Sequence, residues 1–407
     1  MTVEINTIEK CYRELLKGGR EVLRLFDGNP NHHGFHFPRE ILTKAYASFF
    51  AKGKYEPDPK GSLRARESIA QYYASCRMKV EPDHILLTPG TSESFFYLFS
   101  LLAKPGENIL TPNPAYPLFD HIAELARIEL RHYPLVEEKG WGIDLEKLSS
   151  QIDSQTRAIV LISPNNPTGA VVTAEEFEAI AMIARRENLA IISDEVFGEF
   201  IFCNENYPRV GAGFPRPDAE TAPLLFTLNG ISKMFALPAL KLGWIAVTGD
   251  KKKVTVAVDR LETMADTFLS THTPIQEALP RLFQEGRNFV KQYRQEVEAR
   301  RNLAVKILRQ SDKIRFVEPQ GGFYLMAEVS DRPPSPSLAK EGVKGEVWHF
   351  RTEEDFIINL MKETGVFVHP GYFFDYEKGV HFVISFLAEQ KVLKQGLARV
   401  VEFIENL

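Results

Sequence analysis

Between Tyr46 and about Val247 the chain alternates short runs rich in β-branched and other apolar residues with longer stretches of helical character. "HILLT" leads through Pro-Gly into the apolar helical stretch "SESFFYLFSLLA". "ENILTP" precedes a helix through "YPLFDHIAELA", and "RAIVLIS" precedes one from Thr173. "LAIISDE", "LLFTLNG" and "LGWIAVTG" are three further strand candidates. Strands alternating with helices predict an α/β fold, a mostly parallel sheet with helices on both faces. After about Thr273 the pattern changes. A long amphipathic helix runs through "EGRNFVKQYRQEVEARRNLAVKIL", followed by strand candidates "GGFYLMAEV", "VFVHP" and "HFVISF" and a helix from Thr352. This predicts a smaller α+β domain, with the Pro/Ser-rich piece from Asp331 to Glu346 as a surface loop. The expected division is 1–40 as an N-terminal arm and part of the small domain, 41–275 as the large domain, and 276–407 as the small domain.

Composition narrows the function classes. The chain has 407 residues, 44% hydrophobic, and a formal net charge of -5. There is no basic footprint for nucleic acid; the run Lys251-Lys252-Lys253 reads as a solvated helix start. No apolar segment approaches a membrane span, and "MTVEINTIEKCYRELLKGGR" is too charged for a signal peptide. Cys11, Cys76 and Cys203 are scattered, which argues against a disulfide framework or a zinc site and for a reducing compartment, the cytoplasm.

Four short loops each follow a strand candidate, where open α/β sheets bind ligands. "PGTSES" opens a helix with Gly90, Thr91 and Ser92, offering free N–H groups and hydroxyls suited to a phosphate; by itself it is an ordinary cap. "PNNPTG" holds two carboxamides in a turn, by itself plain loop chemistry. "SDEVF" ends an apolar run on Asp194, which needs a partner, a salt bridge or a cap among others. "NGISK" presents Lys233, by itself a surface lysine. Taken together, a phosphate cradle, an amide, a carboxylate at a strand end and a lysine in a small-residue turn match one cofactor, pyridoxal phosphate. The lysine forms a Schiff base with its aldehyde, and the carboxylate pairs with the ring nitrogen.

At this point the chain resembles the fold-type I pyridoxal-phosphate aminotransferases of the class I/II group. The likeness runs from "FDGNPNHHGFHFP" through "KYEPDPKGSLRARESIA", "LLTPGTSES", "LTPNPAYPLF", "SPNNPTGAVVT", "SDEVF" and "LNGISKMFALPALKLGW" to "GVFVHPGYFF". "GNPxxxGF" and "NGISK" look most like an alanine-aminotransferase-like branch. The resemblance implies a large domain with a mostly parallel seven-stranded sheet and a smaller α+β domain. It implies that Lys233 holds the cofactor and relays the proton, that Asp194 binds the ring nitrogen and Asn166 the ring oxygen. It further implies that Tyr116 stacks on the ring, that Thr91 and Ser92 hold the phosphate, and that Tyr55 reaches the phosphate of the neighbouring subunit in a homodimer.

Three positions depart from that pattern. Phe197 stands where the family has a tyrosine that donates to the ring oxygen, so the Schiff base should have a higher pKa. Lys241 takes the place of a phosphate-binding arginine, keeping the charge but not the bidentate fork. Val383 stands where an arginine would clamp the substrate carboxylate. Arg39, Arg351 and His381 are candidate substitutes. His32, His33 and His36 lie in a Pro- and Gly-rich loop without an intervening carboxylate, so loop packing or substrate contact is expected there, and no metal. The implied activity is amino transfer between an amine or amino acid and a keto acid by a ping-pong mechanism. The alternative is a lyase, decarboxylase or racemase on the same fold.

Overall fold

The computed structural model describes residues 6–52, 55–202, 222–330 and 352–407. The Asp331–Glu346 piece, Cys203 and Arg351 lie outside the described residues.

A short strand β1 (Leu23–Arg24) comes first and pairs later in the chain with another short strand. The large sheet then assembles from β2 (Ile85–Thr88), β3 (Asn108–Asn113), β4 (Glu129–Val136), β5 (Gly142–Ile143), β6 (Thr156–Ile162), β7 (Ala190–Asp194), β8 (Leu225–Gly230) and β9 (Gly243–Thr248). Their order is β2-β9-β8-β7-β6-β3-β4-β5. β8, β7, β6, β3 and β4 are mutually parallel, and β9 runs antiparallel between β2 and β8. The sheet is mostly parallel as expected. Beyond the seven strands expected it carries one more, the two-residue edge strand β5, antiparallel to β4.

The central strands β6, β7 and β8 bury nearly every residue, as a sheet covered on both faces requires. Alternate side chains divide between two cores. Val160, Ile162 and Ile192 pack with Phe95, Phe119 and Leu261 on one face. Ile159, Leu161 and Ile191 pack with Phe177, Ile180 and Ala184 on the other. Two of the helices covering this sheet start at side-chain caps. Thr173 closes a capping box with Glu176 at the start of Ala174–Arg186, and Asp250 caps Lys251–Phe268, so the lysine run does open a helix.

The second sheet is antiparallel, in the order β10 (Ile314–Phe316), β11 (Tyr324–Val329), β14 (Val380–Ser385) and β13 (His369–Pro370). β12 (Val366–Phe367) is the parallel partner of β1. Helices Arg287–Leu308, Glu353–Thr364 and Gln390–Glu405 share one apolar core with this sheet. Ile8, Leu23, Leu25 and Phe35 join it, so the N-terminal segment packs beside the second sheet and then runs toward the large one.

Candidate functional site

In the large sheet the carboxyl ends of β2, β3, β6, β7 and β8 lie along one edge, and the start of antiparallel β9 lies there too. Each of the four loops read from the sequence leaves from that edge.

The turn after β2 is built to leave N–H groups open. Gly90 adopts φ +145° and precedes helix Thr91–Leu102 with no side-chain cap. The Thr88 hydroxyl is 2.8 Å from that of Ser94 and donates to the Gly90 carbonyl (3.2 Å), holding the turn. Gly243 packs against it so closely that a Cβ there would lie 3.1 Å from Gly90 Cα. Lys241 approaches the same turn from the other side: a Cβ on Gly90 would be 3.6 Å from Lys241 Nζ. Lys241 is exposed, in a left-handed conformation (φ +49°) that ends the turn Pro238–Leu240. Uncapped helical N–H groups beside a lysine form an anion seat. Thr91 is half-buried and Ser92 exposed at its entrance.

The two asparagines after β6 do different work. Asn165 is committed to the loop, accepting from the Thr168 hydroxyl (2.9 Å) and backbone N–H (3.2 Å). Asn166 is buried, yet its Oδ1 has no hydrogen-bond partner among the described residues. A buried unpaired amide oxygen is costly, and because it accepts, a donor such as a ring hydroxyl would satisfy it.

Asp194 ends β7 and is 9% exposed. Its Oδ1 accepts from Val196 N–H at 2.9 Å. Burial, the dominant cause, raises its pKa from the ordinary 3.8 to about 7; the Val196 bond opposes this and Glu195 adds to it. A carboxylate so placed is poised for a cationic ring nitrogen. Tyr116, in the loop after β3, has its phenol pushed up by burial and secondarily by the Asp194 charge. The residue is 37% exposed.

Lys233 rides on the short helix Ile231–Met234 after β8. Its ammonium donates to the Gly28 carbonyl at 3.1 Å and lies 5.8 Å from the centres of both the Phe197 and Phe323 rings. Burial lowers its pKa from 10.5 to about 8, with the Asp27 charge opposing. A lysine so depressed supplies a neutral amine near neutral pH, the form that attacks an aldehyde. Phe197 is buried against Phe323, with ring centres 4.9 Å apart.

The structure thus gathers the β2, β3, β6, β7, β8 and β9 positions on one sheet edge. It does not bring Tyr55 to them within one chain: that tyrosine is 63% exposed, with its hydroxyl 3.5 Å from Ser270 Oγ. Among the candidate cations, Arg39 is exposed at the start of its helix, and His381 is 1% exposed and 3.3 Å from Glu137. Val383 is 1% exposed within an apolar core. The histidine segment contains a 3-10 helix, Pro30–His33, instead of a plain loop. His32 Nδ1 lies 2.7 Å from Asp27 Oδ2, and His33 Nε2 lies 2.9 Å from the Asp27 carbonyl, so both serve to pack this segment. No metal-holding cluster occurs among the described residues. Sequence reasoning passed over Gly28, Asp27 and Tyr324. The Tyr324 hydroxyl presses on Gly28, 1.8 Å from where a Cβ would stand. No local signal in "FDGNP" or "GGFYLM" marks this contact, which only the tertiary packing makes.

Comparison with known proteins agrees with this geometry. A family model described as aminotransferase class I and II matches residues 23–400. Nicotianamine aminotransferase 1 of Oryza sativa subsp. japonica is 30% identical over 399 residues, 96% of this chain and 76% of that protein. Glutamate-pyruvate aminotransferase AlaA of Escherichia coli (strain K12) is 28% identical over 400 residues, 97% of this chain and 93% of that protein. The structure of an alanine aminotransferase from Pyrococcus furiosus superposes with a TM-score of 0.87 at 25% identity, covering 98% of this chain and 96% of the other.

Proposed function

Because this chain belongs to aminotransferase class I and II, we propose that the sheet-edge cluster around Lys233 is its catalytic centre, with the roles given below. The protein is a pyridoxal-phosphate-dependent aminotransferase. The residues present fit the cofactor, because the buried and unpartnered Asn166 Oδ1 marks a place shaped for a polar ring substituent. When bound, pyridoxal phosphate supplies an electron sink conjugated to the substrate nitrogen.

The chain's own residues do the rest. Thr91 and Ser92, with the open N–H groups behind Gly90, take the phosphate, and Lys241 neutralises it as a point charge. Asp194 holds a proton on the ring nitrogen; the positive charge it meets there relieves the burial that lifts its pKa to about 7. Asn166 hydrogen-bonds the ring oxygen and Tyr116 covers one ring face. Phe197 bounds the site without donating. Lys233 would anchor the cofactor covalently and, as a free amine, would carry the proton from the substrate carbon. Its pKa of about 8 suits that exchange near neutral pH. The single observation that carries this reading is one of placement: Asp194 ends β7, Lys233 follows the end of its parallel neighbour β8, and the unpaired Asn166 Oδ1 follows β6 on the same sheet edge.

The proposal extends to a two-fold homodimer in the cytoplasm, with Tyr55 contacting the neighbouring subunit's phosphate; the exposure of Tyr55 supports this. It includes a division of the chain near 40 and 275, which the separate sheets support. Among the described residues no helix is long and apolar enough to cross a membrane. The test is a half-reaction. Holoenzyme mixed with an amine or amino acid, without acceptor, should lose its visible cofactor band and release one carbonyl product per site. Release of ammonia or carbon dioxide with the band restored would instead support lyase or decarboxylase chemistry.

A further inference from the structure

The groups packed around Lys233 are aromatic rings, those of Phe197 and Phe323, and one carboxylate whose charge reaches it, Asp27. Lys233 Nζ rests on the Gly28 carbonyl, and the Tyr324 hydroxyl packs on the same glycine. Along β11 and β14, Tyr324 pairs with Ser385 and Met326 with Val383, so Tyr324, Met326 and Val383 share one face of the second sheet. Across β13, Val383 pairs with His369, whose ring stacks on Phe26 at 4.3 Å. Burial pulls His369 down to about 4, so it is neutral at physiological pH.

The formal charge that acts on Lys233, Tyr324 and His369 alike is negative, that of buried Asp27. Side chains already engage it: Arg24 Nη2 at 3.1 Å and His32 Nδ1 at 2.7 Å both contact Asp27 Oδ2, and His33 Nε2 lies 4.0 Å from Oδ1. His381, on the same face as Val383, goes to Glu137. The one arginine that the register adds to this face, Arg315, is paired with Glu328, so a carboxylate brought to this wall would shed water, meet apolar rings and face Asp27. A hydrogen, alkyl or aryl group there loses nothing.

Resting on the aminotransferase reading above, we propose that the amino donor is a primary amine with no carboxylate on its reacting carbon and an apolar or aromatic substituent. Such a donor, R–CH2–NH3+, leaves as an aldehyde whose oxygen comes from water. Its amino group passes through the cofactor to a carbonyl acceptor, which is reduced to an amine as the donor is oxidised, so no other redox partner is needed.

Phenethylamine, L-phenylalaninamide and L-phenylalanine share one ring and differ at the reacting carbon. Each is mixed with holoenzyme in a stopped-flow instrument, and the loss of the visible band gives a second-order rate constant. The amine and the amide should each exceed the acid by about tenfold or more, the scale of one lost charge-assisted contact. An acid as fast as the other two overturns the proposal. Val383→Arg should shift the ratio toward the acid by about tenfold. If that variant does not fold, Asp27→Asn should shift it the same way by removing the opposing charge, and an unchanged ratio in a folded variant counts against the proposal. Calorimetry with unreactive 3-phenylpropanamide and 3-phenylpropanoate reads the wall without chemistry: the amide should bind more tightly, and tighter binding of the acid overturns the assignment. If none of the three donors bleaches the band while the amide still binds better, the wall stands and the transaminase reading falls.

Discussion

Replacing Asp194 with asparagine should make the cofactor-free protein more stable while weakening the holoenzyme. Asp194 is buried at the end of β7, and its folded pKa is about 7 against an ordinary 3.8. A group whose folded pKa is raised favours the folded state fully below its unfolded pKa. That contribution is lost as pH rises through the folded value. At about 1.4 kcal/mol per pH unit, the gap sets an upper limit of about 4 kcal/mol of ionisation cost carried by the folded chain above pH 7. Asparagine keeps an oxygen to accept from Val196 N–H, the bond now at 2.9 Å, and removes the charge. Urea midpoints of cofactor-free wild type and Asp194→Asn should therefore coincide near pH 4 and separate toward pH 8, with the variant the more stable by as much as that limit. With cofactor bound the order should reverse, because the ring nitrogen loses its counter-charge. A variant no more stable than wild type at pH 8 without cofactor would refute the reasoning that burial of Asp194 is held in readiness for a cation.

Two further substitutions test separate parts of the site. Lys241→Met should weaken cofactor binding by about tenfold to a hundredfold, as expected for one charge-assisted contact, while leaving the unfolding midpoint of the cofactor-free chain nearly unchanged because Lys241 is exposed; equilibrium dialysis against pyridoxal phosphate reads the first and urea titration the second. Phe197→Tyr adds a donor at a position that now offers only a buried ring, and should lower the pH midpoint of the bound cofactor's visible band, followed by spectrophotometric titration.

What was legible in the sequence follows from where each element sits. β6, β7 and β8 are covered on both faces, so "RAIVLIS", "LAIISDE" and "LLFTLNG" had to be continuous apolar runs and announced themselves. β4 did not: "ELRHYPLV" lies toward the sheet edge with only two of its eight residues buried, and its charges conceal the strand. β5 is two residues long and carries no pattern. The cofactor loops were legible because backbone-compatible residues, glycine, proline and asparagine, must stand at fixed places beyond each strand. The substrate side was not. Gly28 and Tyr324 come from distant segments that only the packing of the second sheet against the N-terminal chain brings together beside Lys233, and nothing local in "FDGNP" or "GGFYLM" marks that meeting. The departure at Val383 was visible, but its neutral, aromatic surroundings needed the β11, β14 and β13 registers.

The central claim is that Lys233 is the residue joined to the cofactor. Reducing the holoenzyme with borohydride fixes any lysine–cofactor bond, and peptide mass spectrometry then locates it. The account predicts the cofactor's mass on the peptide containing Lys233, with Lys241 unmodified and the label lost in Lys233→Ala. Label on Lys241 or any other lysine, or a fully labelled Lys233→Ala protein, would contradict it.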